Sequence, residues 1–362
     1  MRGVGRISMK KVSVVVPCFN AVKYIDRCME SLLGQTIGLE NVEIILVDDA
    51  STDNGATLGR LLEYEEKFPE TIIVVPLERN MRQGGARNAG ISWAGGEYLM
   101  FCDADDWLLC GAMERLYHMA KEQDADVVEF QYMLVTDETE PAAGPEDKRD
   151  SLVWDFCDEK EKKKFLISSS EDCSLGCCPK FYRMSMIREN HIRFAEHLIF
   201  EEPSFTVPVR IYEKKHVLTN ETLYCYYQSP GSTMHGSWDD QKFDNIKVWM
   251  TLMQDLDRRG FLERYDAELE CMFFEWGLAL SVRLLVMRDY LLTKEELTVF
   301  KKITLQIFPR ILSNPYVKQK EDGWNLLMKG ILEMELTEEN VPELNRLMKY
   351  YLHQFLEICG KA

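Results

Sequence analysis

No stretch of this chain is apolar for long enough to cross a bilayer. The most apolar late segment, Cys271 to Met287, is interrupted by Glu275 and Arg283, which suits a buried amphipathic helix. Met1 to Lys11 carries basic residues but no apolar core, so it gives no sign of a secretory leader. A second methionine, Met9, directly precedes the first apolar run, and the first eight residues read as an extension. Basic residues are in deficit: 43 Lys and Arg face 60 Asp and Glu, a formal charge of −17. That disfavours broad adhesion to nucleic acid or anionic lipid. No G-x-G-x-x-G follows the first apolar run and no G-x-x-x-x-G-K-[ST] occurs anywhere, so the dinucleotide and P-loop readings lose their main support. The eleven cysteines include no C-x-x-C pair, and the group Cys173, Cys177, Cys178 has no matching His cluster, which argues against a metal centre there. They read as reduced thiols of a cytosolic protein. Internal repeats and low-complexity tracts are absent as well.

What the chain does have is alternation of short apolar runs with helical periodicity. Val12 to Val16 reads as a buried strand ended by Pro17, followed by a helix carrying Tyr24, Ile25, Cys28, Met29, Leu32 and Leu33. Glu43 to Val47 and Thr71 to Val75 read as further strands, with a helix through Leu58, Leu61 and Leu62 between them. A Gly-containing loop, Asn80 to Arg87, leads into a short helix, and Tyr98 to Cys102 is the fourth strand. A helix from about Gly111 to Glu122 and a strand from Asp126 to Val135 follow. This alternation predicts a mostly parallel sheet covered by helices. Beyond Asp239 the period is helical almost to the end, with Trp249, Leu252 and Leu256 on one face.

The fourth run stops abruptly in Asp103, Asp105 and Asp106, whose carboxylates should emerge together at its carboxyl end. Three anions at one strand end repel unless a cation or hydrogen-bond donors offset them, and a hard divalent ion suits carboxylate oxygens. Two other polar clusters, Pro17 to Asn20 and Asp48-Asp49, also follow apolar strands. In an open parallel sheet the carboxyl ends of strands share one edge, where ligands bind. Acceptors for base and ribose donors beside a cation site for phosphates suit a nucleoside diphosphate.

The succession VSVVVPCFNAVKYIDRCMESLLGQT, EIILVDDASTD, RQGGARNAGISWAGGEYLMFCDADDW resembles the donor half of glycosyltransferase family 2, and PKFYR, EEPSF and LYCYYQSPGSTMH are similar to its downstream motifs. The resemblance implies a GT-A fold, a Rossmann-like α/β nucleotide-diphospho-sugar transferase domain over 12–238, with donor binding in 12–135 and the acceptor side in 136–238. An N-terminal extension (1–11) and a helical region (239–362) flank it. It implies an inverting, metal-dependent transfer from a UDP-sugar to a glycan or lipid-linked acceptor in bacterial surface polysaccharide synthesis. Asp49 matches the residue that bonds the uracil ring, with Pro17 and Phe19 flanking the base and Asn20 beside them. A helix cap for Asp49 and a core position for Phe19 are the plainer readings, and Asp48 is expected to support the turn. Arg87 matches a contact to the diphosphate or the acidic triplet, as against a surface salt bridge. Asp103 and Asp105 match the D-x-D that holds Mn2+ or Mg2+, with Asp105 in direct contact and Asp103 on the ribose or a water of the metal's shell. Glu201 and Glu202 match the motif that supplies the base; the family's Asp is Glu202 here, and Glu202 is the favoured base. His235, with Tyr226, Tyr227, Ser232 and Thr233, matches a segment that closes over the donor phosphates. Trp107 reads either as an acceptor platform or as a core anchor.

Two other readings compete: a nucleotide-sugar-binding protein without transfer, acting through its helical tail, and a nucleotidyltransferase, which would need a basic Gly-rich loop after the first strand. The composition places the protein in the cytoplasm, with no nucleic-acid partner; peripheral attachment to the inner face of the membrane and a homodimer stay open.

Overall fold

The computed structural model describes residues 9–136, 151–168, 174–228 and 241–358. They fall into two compact units, 9–136 and 151–162 with 174–228, and 163–168 with 241–358. The first is built on a nine-stranded sheet: β1 (Val12–Cys18), β2 (Val42–Asp48), β3 (Ile72–Pro76), β4 (Tyr98–Phe101), β5 (Trp107–Leu108), β6 (Val127–Val135), β7 (Leu152–Asp155), β8 (Lys180–Arg183) and β9 (Lys215–Tyr227). Their spatial order is β3-β2-β1-β4-β8-β6-β9-β5, with β7 also on β9. β3, β2, β1 and β4 are mutually parallel, as are β6 and β9. β8 runs antiparallel to both β4 and β6, and the short β5 and β7 run antiparallel to β9. The expected mostly parallel α/β architecture is the one observed.

Burial explains why the apolar runs became these strands. Every residue of β1 and β4 is buried, and Val12, Val14, Val15 and Val16 are wholly shielded. Each such side chain contributes about 1.5–3 kcal/mol relative to exposure. Helices α1 (Ile25–Leu33), α2 (Ala56–Lys67) and α3 (Arg82–Trp93) make the crossovers among β1 to β4 that parallel pairing requires, and α4 (Ala112–Gln123) leads from β5 to β6. α3 lies so close to β1 that a Cβ at Gly90 would stand 2.3 Å from Val15 Cγ1.

Pro17 does not end β1, as its ring predicts, because the strand runs on to Cys18 with Pro17 opposite Val47 and Cys18 opposite Asp48. β4 pairs with β1 only as far as Phe101 opposite Val15. Past that point no strand among the described residues lies on that edge of β1, and the missing proline N–H breaks no ladder there.

In the second unit the helices Asp244–Arg258, Lys294–Ile307, Gly323–Glu333 and Val341–Ile358 surround a continuous segment formed by Asp266–Met272, a π-helical stretch Phe273–Ala279, and Leu280–Val286. Trp249, Leu252 and Leu256 are buried, as their spacing predicts. Thr293 and Glu296 close a capping box at the start of Lys294–Ile307. No described helix is long and apolar enough to cross a membrane.

Candidate functional site

Since β2, β1 and β4 are adjacent and parallel, the three polar clusters that follow them meet at one sheet edge. Asp49 leaves β2 with its amide donating to the Cys18 carbonyl at 2.8 Å. Its carboxylate turns inward, 3% exposed, and accepts the Met81 amide at 2.6 Å. Burial pushes its pKa up to about 6. Asp48 is taken up by its own turn, where it accepts the Ser51 hydroxyl at 2.5 Å. Asn20, at φ 52°, joins the loops after β1 and β2: its amide donates to Ser51 Oγ at 3.0 Å and its side-chain carbonyl accepts the Thr52 amide at 2.7 Å. Pro17 is buried within β1. Phe19 is 46% exposed, which removes the core reading and leaves an open aromatic face.

The acidic turn lies between β4 and β5, closed by the Asp106 amide on the Asp103 carbonyl at 3.0 Å. Its three carboxylates do not emerge together, and the expectation is corrected at Asp106. That side chain is 1% exposed, accepting the Tyr224 hydroxyl on Oδ2 at 2.5 Å and the Tyr227 amide on Oδ1 at 2.8 Å. Burial, with Asp103 and Asp105 nearby, pushes its pKa up to about 9. Donors behind the turn attract one carboxylate inward and relieve the crowding of anions. Asp103 and Asp105 remain half-buried at the rim.

Arg87 rises from α3 into the gap between this turn and the segment before helix Pro203–Tyr212. Its Nη2 donates to Asp103 Oδ1 at 2.8 Å and its Nη1 to Glu201 Oε1. At 2% exposure it is no surface salt bridge. The close approach depends on Gly84, where a Cβ would lie 2.1 Å from the Ala195 carbonyl oxygen and 3.0 Å from Glu201 Cγ. Asn88, one residue beyond Arg87, holds the same segment: it donates to the Phe194 carbonyl at 3.0 Å and accepts the Phe194 amide at 2.9 Å.

The two glutamates therefore separate. Glu201 is buried in the ion pair with Arg87, and desolvation raises its pKa. Glu202 precedes the first turn of helix Pro203–Tyr212 and is half-buried, with Oε1 accepting the Cys177 amide at 2.7 Å. Trp107 is a core anchor, 3% exposed, with the Arg27 guanidinium 3.5 Å above its ring and Tyr227 beside it. Tyr226 is half-buried next to Tyr132. His235, Ser232 and Thr233 lie outside the described residues. Sequence reasoning missed Tyr224, although the i, i+2 alternation with Tyr226 puts both rings on one face of β9.

Among the described residues no three His, Cys, Asp or Glu side chains form a closed metal nest. Asp103 and Asp105 still fit a hard divalent ion in chemistry, as two half-buried carboxylates two residues apart at the end of β4.

The model of the family described as "Glycosyl transferase family 2" matches residues 13–188. A poly(ribitol-phosphate) beta-glucosyltransferase of Bacillus spizizenii is 30% identical over 220 residues, 60% of this chain, and the match spans 32% of that protein's length. Glycosyltransferase GlyG of Streptococcus pneumoniae is 30% identical over 239 residues, 63% of this chain and 74% of that one. Among solved structures, residues 1–349 of Staphylococcus aureus TarS in complex with UDP-GlcNAc superimpose with a TM-score of 0.68 at 21% identity, covering 95% of this chain and 92% of that one. This last likeness concerns the fold.

Proposed function

Because the chain belongs to glycosyltransferase family 2, we propose that it transfers a sugar from a UDP-sugar, with inversion and metal dependence, onto a hydroxyl of a glycan or lipid-linked acceptor in bacterial surface polysaccharide synthesis. The observation that carries this reading is Arg87, whose guanidinium reaches Asp103 on one side and Glu201 on the other. The bridge links the acidic turn after β4 to Glu201, which supports reading that turn and the Glu201-Glu202 pair as parts of one site. The glucosyltransferase relative, named for a poly(ribitol-phosphate), supports a polyhydroxylated acceptor.

Asp49 accepts the uracil N3–H, and Phe19 offers its exposed ring to the base. Asp105, with Asp103, would hold Mn2+ or Mg2+, which when bound neutralises the diphosphate as leaving group. Arg87 braces Asp103 through a charged hydrogen bond, Nη2 to Oδ1 at 2.8 Å. Glu202 is the base: the Cys177 amide fixes Oε1, and Oε2 takes the proton from the acceptor hydroxyl as that oxygen attacks the anomeric carbon. Glu201, committed to Arg87, takes no part in the proton transfer.

Replacing Glu202 by Gln tests the assignment. Transfer should fall by about 10²–10⁴-fold while UDP binding, measured by calorimetry, is kept. Unchanged transfer would remove Glu202 from the chemistry.

A further inference from the structure

Tyr224 bonds both residues that flank Ala104-Asp105. Its hydroxyl accepts the Asp103 amide proton at 3.2 Å and donates to Asp106 Oδ2 at 2.5 Å. The Tyr227 amide adds a bond to Asp106 Oδ1 at 2.8 Å. Tyr224 and Asp106 are each 1% exposed, so water does not stand in readily for these bonds. The ends of the turn are held by the sheet: Phe101 closes β4 opposite Val15, and Trp107 and Leu108 pair with Cys225 and Tyr224. Between those anchors, the Tyr224 hydroxyl and the Tyr227 amide join the acidic turn to β9.

Resting on the donor reading above, we infer that Tyr224 is a positioning residue whose hydroxyl sets the spacing and direction of the Asp103 and Asp105 carboxylates for a divalent cation. A turn held in its working shape loses little freedom when it takes up the ion, whereas a slack turn must be ordered at that moment. The loss should therefore appear in cation affinity and leave the chemical step alone. Tyr98 supplies the comparison: it is also wholly buried with a bonded hydroxyl, to the Ala125 carbonyl at 3.3 Å, but it stands at the opposite end of β4.

The test titrates Mn2+ calorimetrically into the full chain saturated with UDP, for wild type, Tyr224→Phe and Tyr98→Phe, and measures the Mn2+ dependence of turnover alongside. Tyr224→Phe should weaken Mn2+ by about tenfold, keep kcat at saturating Mn2+ within about threefold, and speed hydrogen exchange at the Asp103 amide; Tyr98→Phe should match wild type. Mn2+ affinity of Tyr224→Phe within about twofold of wild type, or an equal loss in Tyr98→Phe, overturns the inference. Should Tyr224→Phe fail to fold, Asp106→Asn takes its place, with weaker Mn2+ binding expected and unchanged binding overturning it. If wild type shows no Mn2+-dependent UDP binding, the donor reading itself fails and the inference falls with it.

Discussion

Arg87 and Asp103 form an ion pair, Nη2 to Oδ1 at 2.8 Å, in which the arginine is almost wholly buried and the aspartate is 21% exposed. The cation sits behind the acidic turn, so its field holds Asp103 in place without occupying the rim. Glu201 completes the arrangement from the other side.

Removing that cation leaves two carboxylates facing each other with little water. Arg87→Met should destabilise the first unit by about 3–5 kcal/mol in urea unfolding. Arg87→Lys should recover only part of the loss, because a single ammonium cannot reproduce a fork that spans two carboxylates.

Gly84 is required by closeness. Gly84→Ala places a methyl 2.1 Å from a backbone oxygen that has no flexible end to move. A loss of about 1–3 kcal/mol is expected, with a fall in transfer activity as Glu201 is displaced.

Asp49 makes a pH-dependent contribution of known sign. Folding raises its pKa from 3.8 to about 6, so the folded chain holds this proton more tightly than the unfolded one. That contribution to stability is complete below pH about 4 and is lost as pH rises through about 6. Asp49→Asn removes the dependence. The Tm of wild type relative to the variant should therefore be higher at about pH 4.5 than at about pH 7.5, and calorimetry at about pH 7.5 should show weaker UDP binding by the variant.

Much of this site was legible from residue order. The runs of β1, β2 and β4 are apolar because both faces are covered, and their abrupt polar ends marked the edge where the three polar clusters meet. Pro17 misled because whether a proline breaks a strand depends on a neighbour, β4, that ends two residues earlier in register. Asp106 misled for a similar reason: its donors, Tyr224 and the Tyr227 amide, arrive from more than a hundred residues away. β9 was hidden by its polar centre, Thr219 to Thr222, where its pairing with β6 shifts register, and the two-residue β5 carries too little pattern to read. The different surroundings of Glu201 and Glu202 likewise depend on the position of Arg87, which pairs with Glu201 and not with Glu202.

Glu202→Asp restores the residue the family carries at this position but withdraws the carboxylate by about 1 Å. If the backbone here is adjusted to the longer side chain, transfer should fall by as much as about 10²-fold with little change in UDP affinity. An increase in turnover would mean that the glutamate is a compromised base.

Acceptor-free donor hydrolysis tests the central claim most directly, across a panel of UDP-, GDP- and dTDP-sugars with and without Mn2+, followed by UDP calorimetry. Slow, Mn2+-dependent release of UDP from one donor, abolished by Asp105→Ala, is the predicted result. No release from any donor, together with no metal-dependent UDP binding, would contradict the assignment of this site to a UDP-sugar.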